Sequence, residues 1–413
     1  MAYARVRKRL WKSGDGTKTA WVCDYFDQAG KRRLKTFTRQ SEAKAWLAEA
    51  VIEVKQGVHT PASQSITVAE AGEEWIDQAT TDGLEASTIK QYRQHLDHHI
   101  KPMIGNATLA ELSAAAVQSF RNKLLKGETP DKKSRTRAMV KKIVVSLGAI
   151  LATAMANGRV ARNVVREQSR QHGQRQRRIE KRHKKELEVG VDIPTKDEIR
   201  AMLTAAEGRW RPLMVTAIFT GLRASELRGL RWDDVNLSLD SGGGILTVRQ
   251  RADRWNVIGS PKSDAGKREV PLAPMVVNTL KEWKLECPKG ELRLVFPNGK
   301  GNVESLLNIH RRGLGPLQYA ANVSDVTKIK EQQPGLSGRA VARQAKAHPK
   351  YGLQAFRHAA ASLFIEQGFS PKRVQALMGH STIQVTFDTY GHLFPSADGD
   401  KAAMEQLQAR LVG

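Results

Sequence analysis

Residues 170–185, RQHGQRQRRIEKRHKK, hold eight Lys or Arg and a single acid. No protein core can take such a run, because each buried charge needs a partner and the segment supplies only one. The stretch must stand in water, so the chain has to fold on either side of it. It reads as a solvated, mobile linker. Between two domains that both touch a polyanion it also reads as a strap along a phosphate backbone, and the two readings are compatible.

The rest of the chain carries the same sign. Across 413 residues, 67 Lys and Arg against 42 Asp and Glu leave a net charge of +25. That length predicts two to three domains. The charge points to a polyanionic partner, nucleic acid first. A membrane surface fits less well, since no segment joins a strong apolar face to a basic one. No apolar run reaches ~18 residues, so no spanning helix is expected. The basic start, MAYARVRKRLWKSGDG, lacks the apolar centre of a signal peptide. The two cysteines, Cys23 and Cys287, form neither a disulfide framework nor a zinc-ligand spacing. A reducing compartment, the cytoplasm, is expected, with no metal and no cofactor.

Periodicity divides the chain. In residues 1–60, Trp21, Cys23 and Tyr25 alternate as on a half-buried strand, 27–30 can turn, and 32–37 can return. Ser41 is a candidate N-cap for a following helix that carries Trp46, Leu47, Ala50, Val51 and Val54. Residues 57–65 read as a linker. Thr67 and Glu70 make a candidate capping box ahead of Val68, Ala71, Trp75 and Ala79. Ser87, Ser113 and the region around 135 open three more predicted helices, the last running to 156. Thr195 and Glu198 give a second capping box. Strands are expected near 245–248, 255–258 and 268–272, and an irregular connection over 315–350. The predicted fold class is multidomain and mainly α. It has a small N-terminal β-sheet-plus-helix module (1–60), an all-α domain (66–168) and a basic linker (169–190). A mixed, mainly-α domain with a small antiparallel sheet (191–413) completes it.

Five segments of the last domain carry chemistry: TGLRASEL, SPKSDAGKREVPL, QAFRHAAAS, LMGHS and DTYGHLF. Arg223 and Arg357 are candidate phosphate clamps, because a guanidinium keeps its charge and donates two parallel hydrogen bonds. Glu226, three residues past Arg223, is within helical reach to hold it. Lys262, before a predicted hairpin turn, can donate a proton to a leaving oxygen, with Lys267 as its rival. Ser370-Pro371 and Gly379 bracket a short helix, so His380 emerges just past its end. Tyr390 is the candidate nucleophile, a weak one until a proton acceptor and a positive field assist it. His358 neighbours Arg357 but points about 100° away on a helix, and reads as a buried structural histidine. Each residue alone has an ordinary surface or core explanation; the ordered set is what constrains the chemistry. Lys31, Arg32, Arg33 and Lys35 in the first module, and Lys90, Arg93, Arg135 and Lys141 in the helical one, are candidate DNA-binding cations.

On TGLRASELRGLRWDDV, PKSDAGKREVPL and MGHSTIQVTFDTYGHLFP, the chain resembles the tyrosine recombinase (phage-type integrase) family over about residues 195–395. Residues 66–165 are similar to that family's core-site-binding domain, and the first 60 look like its arm-site-binding domain. The resemblance implies a site-specific recombinase that cuts and rejoins DNA through a 3′-phosphotyrosyl bond made by Tyr390. Arg223, Arg357 and His380 would hold the phosphate, and Lys262 would protonate the leaving 5′ oxygen. It also implies a homotetramer on double-stranded attachment sites, working through a Holliday junction without metal or ATP. A DNA-bending accessory protein, an excision factor, a bacterial nucleoid location and a C-terminal tail helix at 402–411 follow from the same resemblance. Where the family usually has His-x-x-Arg, this chain has Gln354-Ala-Phe-Arg357. Glutamine donates a hydrogen bond but does not exchange protons near neutral pH, which leaves His358, His380 or water to take the tyrosine's proton. A type IB topoisomerase-like enzyme and a non-catalytic DNA-binding regulator of the same fold are the alternatives.

Overall fold

The computed structural model of the chain describes residues 4–13, 16–27, 29–55, 65–169, 186–238, 243–394 and 400–412. The 170–185 charge run and most of the 57–65 linker lie outside the described residues. Two compact units emerge, Met1–Lys184 and Lys185–Gly413.

The first unit opens with an antiparallel sheet of β1 (Arg5–Ser13), β2 (Gly16–Phe26) and β3 (Arg32–Phe37), in that order. β1, a strand the sequence pattern did not reveal, pairs with β2 along its whole length. α1 (Gln40–Lys55) lays Ala43 and Leu47 against Cys23 and Tyr25. Ser41 lies inside α1, past its start, so it is not the N-cap expected of it.

The helical part follows. The predicted Thr67–Glu70 capping box opens α2 (Val68–Thr81). α3 (Ala86–His95) begins after Glu85 with no side-chain cap, so Ser87 sits in its first turn rather than capping it. α4 (Ala114–Lys126) is capped by Ser113, and α5 (Arg137–Ala156) by Thr136. Val68, Trp75, Leu96, Phe120, Leu124, Ile143, Leu147 and Leu151 form their shared core. α5 alone among the described residues is long and apolar enough to cross a membrane, with mean hydropathy 1.7 over its most apolar window. Its buried face is the spine of this core.

In the second unit the Thr195–Glu198 box starts α6 (Lys196–Ala205), followed by the buried α7 (Trp210–Thr220) and the short α8 (Ala224–Gly229). β4 (Val235–Asn236), β5 (Gly244–Val248) and β8 (Arg268–Leu272) form one sheet, while β6 (Arg251–Ala252) pairs with β7 (Ile258–Gly259) in another. β8 pairs with β5 and not with β7, so 261–267 links two sheets and is not a hairpin tip. Trp255 lies in the turn between β6 and β7, outside the strand expected there.

α9 (Pro274–Glu286) covers the larger sheet. The region 315–350 is helical, not irregular: α10 (Gly315–Ala320), α11 (Val326–Gln332) and α12 (Gly338–Ala347) fill most of it. Only Val341 and Ala345 of α12 are buried, and Val341 is its one large apolar residue. α13 (Leu353–Glu366), α14 (Pro371–Met378) and α15 (Ile383–Tyr390) carry the candidate site, and α16 (Asp400–Val412) is the expected tail helix. The architecture is multidomain and mainly helical, with small antiparallel sheets.

Candidate active site

Two helix ends build the site. α7 stops at Gly221, which takes a left-handed φ of 62° that an L side chain seldom adopts. The turn also needs the missing side chain: a Cβ there would meet Met378 Sδ at 2.9 Å. The chain reverses, Leu222 is buried, and Arg223 becomes the residue before α8. Glu226 accepts from the Arg223 backbone N–H (2.9 Å) and from its Nη1 (2.7 Å), so the helical spacing read from sequence does hold the guanidinium.

The second end is that of α14. Gly379 takes φ 62°, the Gly379 N–H reaches back to Ala376 O, and the His380 N–H reaches Gln375 O at 3.1 Å. This six-to-one closure satisfies two carbonyls of the last turn and leaves three more outside it. Each of those three takes one arginine. Arg268 Nε donates to Leu377 O at 2.6 Å, Arg357 Nη2 to Met378 O, and Arg223 Nη2 to Gly379 O at 2.8 Å. Arg357 also donates to Gly221 O at 2.6 Å, which ties the two helix ends together. The carbonyl end of a helix is its negative pole, so the cations lie where the backbone dipoles favour them.

Arg268 escaped the sequence reading. It sits six residues after Lys262 and reads there as a strand residue beside a turn. Its side chain is 6% exposed and donates to Glu226 at 2.9 Å. Glu226 is thus shared between Arg268 and Arg223. Burial acts to raise its carboxyl, but the two guanidiniums outweigh that and hold it down at about 2. Desolvation first, and then Arg223, bring Arg357 down to about 10, still protonated at neutral pH. The only signal for Arg268 in sequence was an arginine one residue past Lys267; nothing local names its distant partners.

His380 emerges as expected, 8% exposed, its Nδ1 2.9 Å from Thr386 Oγ1. Burial, then Arg357, push its imidazole down to about 4, so it is neutral at physiological pH. Tyr390 ends α15 and is 1% exposed. Burial pushes its phenol up to about 12, against the pull of Arg357 and Arg223. Its ring lies 6.1 Å from that of His380, nearly parallel. His358 is half-buried, and its Nδ1 is 2.8 Å from Tyr390 Oη. The structural-histidine expectation is therefore corrected: the 100° offset from Arg357 aims His358 at the tyrosine. The exposed Gln354, one turn earlier on α13, places its amide nitrogen 3.3 Å from His358 Nε2.

Arg223, Glu226, Gln354, Arg357, His358, His380 and Tyr390 are thus brought together. Lys262 is not joined to them. It is exposed on the link between β7 and β8, although the next turn of that link packs on the site: a Cβ on Gly379 would lie 3.0 Å from Ala265 O. Lys267 is also exposed.

Arg32, Arg33, Arg93 and Arg135, four of the eight candidate DNA-binding cations of the first unit, are in ion pairs. Arg32 grips Asp24 with two bonds of 2.8 and 2.5 Å, and Arg33 takes Asp27 at 2.7 Å. Lys35 Nζ lies 4.6 Å from the Trp46 ring centroid. Arg93 pairs with Glu73, and Arg135 with Asp131 at 2.5 Å. Lys31 is exposed at the turn, while Lys90 and Lys141 are exposed on α3 and α5.

A tyrosine at a helix end, arginines fixed on backbone carbonyls and a separate helical domain upstream mark a DNA strand-transfer class of fold, and sequence comparison agrees. Residues 194–396 match the phage integrase family, and residues 67–125 match the phage integrase N-terminal SAM-like domain. The two matches together span more than half of the chain, which belongs to the phage integrase family of tyrosine recombinases. The chain is 23% identical, over 97% of its length and 96% of the relative's, to a Mycobacterium tuberculosis protein named as a prophage phiRv2 integrase. It is 26% identical to an integrase of Streptomyces ambofaciens, over 94% of each chain. Among solved structures, the Tn1549 transposon integrase in complex with transposon right end DNA has the same fold. Its TM-score is 0.58 at 18% identity, covering 84% of this chain and 100% of that one.

Proposed function

We propose that this recombinase is a site-specific integrase that inserts and excises a prophage or other mobile element through a 3′-phosphotyrosyl intermediate. The observation that carries the reading is the convergence of Arg223 and Arg357 on one helix end, beside His380 and Tyr390. Attack on a phosphodiester gathers negative charge on the non-bridging oxygens, and preorganised donors stabilise that charge most where water is excluded. Arg223, 36% exposed, is the arm that reaches the phosphate, while the buried Arg357 sets the field behind it. His380, neutral at physiological pH, contributes one N–H donor. Lys262 protonates the leaving 5′ oxygen once DNA draws the exposed 260–267 link inward. The tyrosyl ester keeps the energy of the cut bond, so rejoining consumes no ATP and the arginines supply the charge a metal supplies elsewhere.

In this reading residues 1–60 bind arm-type DNA sites, 66–168 bind the core site, 169–190 bridge them, and 191–413 cut. Four copies act on two duplexes, in a bacterial cytoplasm, with a DNA-bending protein and an excision factor as partners. The +25 charge makes binding strongly salt-dependent.

The test is a suicide substrate, nicked beside the cleavage point and drawn from the ends of the element that carries this protein. A covalent protein–DNA adduct that disappears in Tyr390→Phe supports the reading. No adduct from the unaltered protein sinks it. Supercoil relaxation with no strand exchange would instead assign a topoisomerase.

A further inference from the structure

We propose that His358 takes the proton from Tyr390 as the tyrosine attacks, and that Gln354 decides which ring nitrogen is free to take it. The proposal rests on the recombinase reading above. His358 Nδ1 lies 2.8 Å from Tyr390 Oη, with the rings edge to face at 5.7 Å. Tyr390 is 1% exposed, so bulk water has little access to the phenol. His380 meets Tyr390 ring against ring, and its Nδ1 is engaged by Thr386. Of the groups left open by the missing histidine at 354, His358 alone faces the phenol oxygen along a hydrogen bond.

Gln354 supplies control without chemistry of its own. A neutral imidazole carries one N–H and one lone pair. When Gln354 turns its amide oxygen to Nε2–H, the lone pair of Nδ1 faces the phenol and can accept its proton. When the amide nitrogen faces Nε2, the ring proton moves to Nδ1 and points at the phenol oxygen, which parks the tyrosine. The structure has the amide nitrogen toward Nε2. Half a turn of an exposed side chain interconverts the two arrangements, and Gln354 lies on the open side, where an arriving DNA strand can turn it.

The proton balance closes. As the Tyr390 Oη–phosphorus bond forms and the phosphorus–O5′ bond breaks, the phenol proton passes to His358 Nδ1. The 5′ oxygen takes its proton from a separate donor, Lys262. Rejoining reverses both transfers. The groups around His358 suit the part: burial first, then Arg357, push its imidazole below the usual range, while Asp192 pulls the other way. Tyr390, Gln354 and His380 complete its surroundings. The ring is therefore neutral, and able to accept, near pH 7.

Single-turnover cleavage of the nicked substrate tests this, with the unaltered protein, Tyr390→Phe, His358→Ala, His358→Gln, Gln354→Ala and Gln354→Glu. Each is run on ordinary DNA and on DNA with sulfur at the bridging 5′ position. Sulfur leaves without a proton, so it rescues a lost acid and not a lost base. His358→Ala is expected to slow cleavage roughly 10²–10⁴-fold on both substrates, and to regain rate as pH rises. Gln354→Glu, an acceptor only, should cleave at least as fast as the unaltered protein; Gln354→Ala should lose less than about tenfold, a fraction of a full general-base effect. Rescue of His358→Ala by sulfur, or cleavage near the unaltered rate, overturns the proposal. If His358→Ala fails to fold, His358→Gln carries the same readings while keeping a polar contact at the site. An adduct from the unaltered protein with no loss in the His358 variants sinks only the base; no adduct at all sinks the recombinase reading with it.

Discussion

The arginines around the candidate site and four candidate DNA-binding arginines of the first unit are held differently. In the second unit Arg223, Arg268 and Arg357 grip backbone carbonyls, and the first two share one carboxylate, Glu226. A carbonyl fixes a guanidinium without cancelling its charge, so a positive field survives in a closed site. In the first unit Arg32, Arg33, Arg93 and Arg135 each pair with a carboxylate, Asp24 also facing Arg5 and Arg7 and Glu73 also taking Lys101. Each carboxylate offsets part of that charge; at the exposed Arg93–Glu73 pair a phosphate can replace it at little cost, since such pairs contribute only about 0–1 kcal/mol, whereas Asp24 and Asp27 are buried. One arrangement leaves positive charge uncancelled in a closed site; the other sets it against carboxylates.

Four substitutions separate the two arrangements. Arg357→Ala should be the most damaging. It removes the buried charge behind Arg223, which on the proposed mechanism costs about 10²–10³-fold in adduct formation, and strands the Met378 and Gly221 carbonyls at about 1–3 kcal/mol each. Adduct yield and a thermal melt measure the two losses, and a variant that melts like the unaltered protein would break the contrast. Glu226→Gln comes next, at about 3–5 kcal/mol, because it unbalances buried charges. The same group gives a pH signature. Its pKa falls from 4.5 to about 2 on folding, so its contribution is complete above pH 4.5 and is lost as pH falls toward 2. Melts across that range should show the loss in the unaltered protein and not in Glu226→Gln.

Gly379→Ala is a milder blow, about 1–3 kcal/mol for a non-glycine at positive φ. Its Cβ would sit 2.7 Å from Arg268 Nη1, so cleavage should fall more than stability does. Arg135→Ala closes the series. Stability should shift by less than about 1 kcal/mol, while the salt slope of DNA binding drops by about 1. A large loss of stability there would mean that the first unit uses its arginines as the second does.

Much of this was legible in the chain, for local reasons. The capping boxes at Thr67 and Thr195, the Ser113 cap and the Gly379 stop are signals spaced over a few residues, and all four form. Arg223 with Glu226, and His380 past its helix end, could be placed by the same short-range logic. Arg268 could not, because its partners Glu226 and Leu377 are 42 and 109 positions away. His358 was misread because a helical offset tells where a side chain does not point, while its partner lies 32 residues further on. α12 escapes because the apolar positions of GRAVARQAKA are alanines apart from Val341, which leaves no large residue to mark a core face. Lys262 was placed before a hairpin turn because its segment reads as one, while strand pairing across distant residues makes that segment a link between two sheets.

The three carbonyls at the end of α14 also work as a length gauge. Deleting one residue between Ser370 and Gly379 turns that end by about 100° and draws it back by about 1.5 Å. Leu377, Met378 and Gly379 would then each face the wrong arginine, and Arg223 and Arg357 would lose their seats together. The 371–379 interval should therefore tolerate changes of side chain but not of length, so a relative can drift far in sequence while that spacing stays fixed.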